Sequence, residues 1–152
     1  MTSLKNARFL TKFGTDNHRD ALTNSSSQDV RNEVAKYGTD VHRDKLVNDG
    51  LASVRYYVAQ YGNDSHRDKL VNDPEQSVRT AVAIHGNDKH RDQLVNDTNM
   101  FVRGEVAKHG TRKHAELLKN DKDGYVLERA LARLSFPKKT NESVLSTVRK
   151  LV

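Results

Sequence analysis

The segment VRYYVAQYGNDSHRDKLVND at positions 54–73 returns almost unchanged at 30–49 as VRNEVAKYGTDVHRDKLVND and at 78–97 as VRTAVAIHGNDKHRDQLVND, a period of 24. Glycine keeps the period at Gly14, Gly38, Gly62, Gly86 and Gly110, and histidine at His18, His42, His66, His90 and His114. Leu22, Leu46, Leu70, Leu94 and Leu118 follow it, as do Asn24, Asn48, Asn72, Asn96 and Asn120. A repeat of this length marks one supersecondary unit that cannot bury its apolar face alone and must stack on its neighbours.

Each unit reads as two short helices. In the first, Val78, Val82 and Ala83 share one helical face. In the copy that begins there, Asp73-Pro74 supplies a capping residue and a proline at the helix start. The periodic glycine closes the helix, where a left-handed residue is expected. Thr39, Asn63, Asn87 and Thr111 follow it and are N-cap types, so a second helix starts there and stops near the Asn-Asp pair. Helices this short are marginal alone. The expected fold is all-α, a solenoid of five to six units in a single domain spanning 1–152. Residues 1–29 form an N-terminal cap repeat, 30–125 four regular repeats and 126–152 a C-terminal cap. In that cap Asn141 starts a last helix that buries Val144, Leu145, Val148, Leu151 and Val152.

Composition sets further bounds. Apolar residues are 35% and charged residues 30%, which suits a thin core spread along a row of units rather than a thick globular one. With no cysteine there is no disulfide framework and no thiolate site. No run of 18 apolar residues exists, and MTSLKNARFLTKFG lacks the apolar stretch of a signal peptide, so a cytoplasmic protein without membrane association is expected. The net charge is +6. Residues 1–102 carry 14 basic and 14 acidic side chains, and residues 103–152 carry 12 and 6, so the whole excess lies in the last third.

The Val54-Arg55-x-x-Val58-Ala59 pattern, its break, and the segment holding Leu70 and Asp73 resemble the leucine-rich repeat variant family over about residues 6–134. The resemblance implies a right-handed superhelix of alternating α- and 3₁₀-helices. The units are also similar to HEAT repeats, whose Asp and Arg six residues apart form a ladder between neighbours. Asp49 and Arg55, Asp73 and Arg79, and Asp97 and Arg103 have that spacing. Both likenesses imply a binding scaffold and no reaction, with no cofactor.

The repeated His-Arg-Asp triplet resembles a catalytic loop only in isolation. Glycine-rich phosphate loop, strand lysine and Asp-Phe-Gly are all missing, and a catalytic residue is needed once, not in unit after unit. The triplet reads as architecture, with Arg19, Arg43, Arg67 and Arg91 pairing with Asp20, Asp44, Asp68 and Asp92 or with an Asp one unit away. His85 and His90, and His109 and His114, are five apart across a turn, which is not a helical zinc pair, and no metal site is expected. No enzyme is expected.

Function is sought where the units differ. The residue before each glycine is Phe13, Tyr37, Tyr61, His85 or His109. The column has two readings: packing between units, or a contact strip for a partner. Tyr37, Tyr57, Tyr61, His85 and His109 are the candidate partner-binding residues, for a protein partner and a monomeric or weakly self-associating chain. Met100 and Phe101 form either a further contact edge or core. The alternative is a nucleic-acid backbone held by Arg112, Lys113, Lys119, Lys122, Arg129 and Arg133.

Overall fold

The computed structural model describes residues 4–135. The helix proposed after Asn141 therefore lies outside the described residues. The described chain is helical throughout, with no strand among its elements. In order they are α1 (Leu4–Phe13), α2 (Asp16–Thr23), α3 (Gln28–Tyr37), α4 (Asp40–Leu46), α5 (Ala52–Tyr61) and α6 (Asp64–Leu70). There follow α7 (Gln76–His85), α8 (Asp88–Leu94), α9 (Met100–His109), α10 (Arg112–Leu118) and α11 (Gly124–Ser135).

The odd-numbered helices form the packed row. α1 lies on α3, α3 on α5, α5 on α7, α7 on α9 and α9 on α11. Each even-numbered helix packs on the helix before it and on the one that follows. The core runs along this row as repeated columns. Val54, Val58 and Ala59 of α5, with Leu70 of α6 and the adjoining Val71, are buried, and each column continues into the neighbouring units. The alanine column (Ala35, Ala59, Ala83 and Ala107) has no exposed surface, and its short side chains let consecutive helices approach closely.

Both helices of each unit are α-helical, which corrects the α/3₁₀ alternation implied by the family likeness. The physical reason is the spacing of the buried residues. His66 and Leu70 are buried four apart in the seven-residue α6. In a helix of three residues per turn such positions point in different directions, whereas in an α-helix they share a face.

The periodic glycines also differ from expectation. Gly38, Gly62, Gly86 and Gly110 have φ of −72, −77, −77 and −77°, extended backbone open to any residue. What demands glycine is space. A Cβ at Gly62 would lie 2.5 Å from the Val58 carbonyl oxygen and 2.8 Å from His66 Nδ1. The same clash recurs at Gly86 and Gly110. The chain must pass directly against the last turn of one helix and the histidine of the next.

The Asp73-Pro74 pair starts α7 one step less directly than expected. The N-cap is Glu75, without a side-chain bond, and the Asp73 carboxylate accepts from the Glu75 N–H at 2.9 Å. Asp49, Asp97 and Asp121 hold the loop two residues on in the same way.

Candidate functional site

The members of the His-Arg-Asp triplet have three separate structural roles. Thr39, Asn63, Asn87 and Thr111 are the N-caps of α4, α6, α8 and α10. Histidine stands at the third helical position, where glutamate usually completes a capping box. The Asn63 N–H donates to His66 Nδ1 at 3.0 Å while Asn63 Oδ1 accepts from the His66 N–H at 3.2 Å. Nδ1 is the acceptor, so the ring proton sits on Nε2. That atom lies 3.2 Å from Asp44 Oδ1 of the preceding unit. His90 meets Asp68, and His114 meets Asp92, in the same way. His42, His66, His90 and His114 are buried, whereas His18, in the first described unit, is exposed.

Arginine closes the helix before it. Arg67 Nε donates to the Ala59 carbonyl at 2.9 Å and Nη2 to that of Gln60 at 3.3 Å. Arg43 and Arg91 repeat this on Ala35 and Lys36, and on Ala83 and Ile84. These are carbonyls that a helix end leaves without partners, at the negative end of its dipole. The carboxylate beside each arginine is Asp16, Asp40, Asp64 or Asp88, three residues earlier, rather than the aspartate of its own triplet. That aspartate serves the next unit: Asp20, Asp68 and Asp92 receive Lys45, Lys89 and Lys113 at 2.8–3.0 Å. His66→Asn removes a buried ring and half of a capping box. It should lower unfolding stability by about 2 kcal/mol and leave partner binding unchanged, checked by urea denaturation and by retention of a bound partner.

A second ladder joins units on the inter-unit loop side. Arg55 Nε and Nη2 form a bidentate pair with Asp73 at 2.6 and 2.9 Å, and Nη1 donates to the Asp49 carbonyl at 2.8 Å. Arg31 with Asp49, Arg79 with Asp97, and Arg103 with Asp121 repeat it. The spacing of six noted in the sequence brings together the arginine and a backbone carbonyl, whereas the carboxylate comes from the far end of the unit, after its second helix.

These contacts make the fold acid-sensitive. The hydrogen bond from Arg103 holds Asp121 below the usual carboxylate range. For Asp49, burial pushes upward, but Arg31 and the Leu51 amide outweigh it. Asp20, Asp68 and Asp92 are lowered chiefly by hydrogen bonds from Lys45, Lys89 and Lys113. A depressed native pKa contributes stability that is complete above the unfolded value of about 3.9 and is lost as pH falls through the native one. Urea midpoints should therefore hold from neutral pH down to about 5 and drop steeply below about 4.

The contact-strip candidates gather at one edge. Phe13, Tyr37, Tyr61, His85 and His109 are the last residues of α1, α3, α5, α7 and α9. Phe13, Tyr37 and Tyr61 are 66%, 36% and 39% exposed. His85 is exposed, while His109 is half-buried with Nε2 3.2 Å from Glu105 Oε2. Burial leads the causes that lower the pKa of both histidines, and for His109 the neighbouring Glu105 opposes it. Tyr57 sits one turn back from Tyr61, half-buried against the core and stacked on it at 6.3 Å. Three further side chains join the strip. Phe9 stacks on Phe13 at 5.2 Å, and Lys12 and Lys36 lie over the rings of Phe13 and Tyr37 at 5.4 and 4.9 Å. The i, i+4 spacing of Phe9 and Phe13, shared by Tyr57 and Tyr61, was the available signal.

Phe101 is exposed, edge-on to Tyr125 at 5.3 Å, and Met100 packs on the core. Gly104 admits the Tyr125 ring, which would overlap a Cβ there. Tyr125 OH donates to Glu105 and accepts from Arg129, whose guanidinium lies 4.3 Å from the ring centre.

Among the basic candidates, Arg112 donates to the Leu134 carbonyl and faces Glu116, Lys113 pairs with Asp92, and Lys119 pairs with Glu116. Arg129 is held by Tyr125 and lies 3.7 Å from Glu105. Lys122 is exposed on the loop before α11, and Arg133 lines a small cavity with Lys108 and Arg129. Among the described residues no cluster of His, Cys, Asp and Glu is arranged to hold a metal ion, and no helix is long and apolar enough to cross a membrane. Neither protein-family models, nor curated proteins, nor solved structures provide a match.

Proposed function

We propose that the chain is a non-enzymatic scaffold of the leucine-rich repeat variant or HEAT-like kind, a right-handed α-solenoid that holds a protein partner in the cytoplasm. The observation that carries this reading is the exposed aromatic edge of Phe13, Tyr37 and Tyr61. Aromatic side chains lose little conformational freedom on binding and are enriched at the energetic centres of protein interfaces. The groups that suggest chemistry support the same reading, because each histidine and arginine of the three complete internal triplets is engaged in helix capping or in contact with the next unit. The basic last third supports it too, since four of its six candidate cations face carboxylates of this chain. Phosphate binding draws on cations that can exchange small counterions, and an internal carboxylate competes with it.

The test is retention from nuclease-treated extract on immobilised wild type and on the Tyr37→Ser/Tyr61→Ser double variant. A protein retained at moderate salt and weakened about 30-fold or more by the double variant is the expected result. Retention that requires nucleic acid, or that collapses between low and moderate salt, assigns the chain to phosphate-backbone binding instead.

A further inference from the structure

We propose that the asparagine column Asn48, Asn72 and Asn96 binds the backbone of an extended polypeptide in a polyproline-II-like conformation, running across the units along the inter-unit loops. This rests on the protein-binding reading and adds a second surface to it. The aromatic strip stands where the odd-numbered helices end, and the asparagines stand where the even-numbered helices end, at the other turn of each unit.

The repeat itself raises the question. The other polar columns serve inside the fold, where histidine caps, arginine closes helices or pairs between units, and aspartate accepts. The asparagine column has no such role. Asn24, Asn48, Asn72, Asn96 and Asn120 are exposed, and among the described residues their side-chain amides bond to no other protein group. The usual structural reason for asparagine just after a helix is a left-handed backbone, but no described residue has positive φ. The column also outlasts its neighbours. The first copy reads Leu22-Thr23-Asn24-Ser25, where the valine and the aspartate have both changed, and the last reads Leu118-Lys119-Asn120-Asp121.

The surface around the column is grooved at the same period. Asn72, Asp73, Arg79 and Asn96 line one concavity, and Asn96, Asp97, Arg103 and Asn120 line the next. The bidentate arginine–aspartate pair that lines each groove is already neutral, and Lys122 is the one further cation, in the second groove alone. A primary amide presents a donor and an acceptor side by side, the complement of a peptide unit. Stacked helix layers are about 8–10 Å apart. A polyproline-II chain rises about 3.1 Å per residue with three residues per turn, so it returns the same backbone face every ~9.3 Å, and it has no internal hydrogen bonds to give up. A β-strand alternates faces every second residue and falls out of register.

The test uses random linear dodecapeptides displayed on phage and panned on the full chain. Selected sequences are then synthesised and titrated by fluorescence anisotropy. The Asn48→Ala/Asn72→Ala/Asn96→Ala triple variant should keep the wild-type melting temperature, because no internal bond is removed, and should bind on the order of 100-fold more weakly. N-methylation of every third peptide nitrogen, in one of the three registers, should give a comparable loss, while alanine at the same positions should not. Three results overturn the inference: no linear peptide is retained, retained peptides bind the triple variant as tightly as wild type, or oligo-dT binds in an asparagine-dependent way. Peptides that ignore the triple variant but are lost with Tyr37→Ser/Tyr61→Ser also overturn it, and leave the scaffold reading standing. Failure of the scaffold reading shows separately, in the extract experiment.

Discussion

Arg79→Ala should lower unfolding stability by about 3–4 kcal/mol, because it leaves a largely buried carboxylate without its partner. The Asp97 side chain is 7% exposed and accepts both Nε and Nη2 of Arg79, at 2.7 and 3.0 Å. Arg79 Nη1 also satisfies the Asp73 carbonyl at 2.8 Å, so truncation leaves polar groups unpaired on two loops at once. Adding Asp97→Leu should recover part of the loss, since it removes the unpaired charge but leaves the Asp73 carbonyl and the Asn99 N–H without their partners. Urea denaturation of the wild type, both single variants and the double variant gives the coupling directly. A loss under about 1 kcal/mol would place the pair with ordinary surface ion pairs. The m-value carries a second outcome. Each unit contacts only its neighbours, so a weakened junction at Arg79 should broaden the transition as the units on either side uncouple.

Leu70→Ala is the other large effect, a loss of about 2–5 kcal/mol. Leu70 is 3% exposed and belongs to the continuous core cluster. Leu117→Ala is the internal control. It sits in the corresponding helix of a later unit but is 61% exposed, and its truncation should change the urea midpoint little. Equal losses at the two positions would show that the leucine column does not face the core.

Much of this was legible from local pattern. The helix pairs, the N-cap residues Thr39, Asn63, Asn87 and Thr111, the buried Val-Ala and Leu columns and the architectural role of His-Arg-Asp all follow from short-range chemistry. A cap acts within three residues and an apolar stripe within two turns. The aromatic column was visible for the same reason, because the residue before each glycine must end a helix. Which members stand in solvent was not visible. Tyr57 and Tyr61 are one turn apart on α5, yet Tyr57 packs on the core and Tyr61 does not.

The sequence by itself therefore determined a helical repeat, its unit length, its caps and its core columns, since each of these is set by residues within one unit. The tertiary structure decided what joins the units. Packing of the two helices of one unit brings Asp73 back to Arg55, and stacking of the units brings Asp44 to the His66 ring nitrogen and Asp92 beside Lys113. It also gave the glycines their reason, a close pass against Val58 and His66 in place of a left-handed backbone. And it recast the basic last third, because a charge count along the chain does not record which carboxylate each cation meets in space. Contacts between units depend on the distance between helix layers and on the path of the loops, and neither is written in the identity of any one residue.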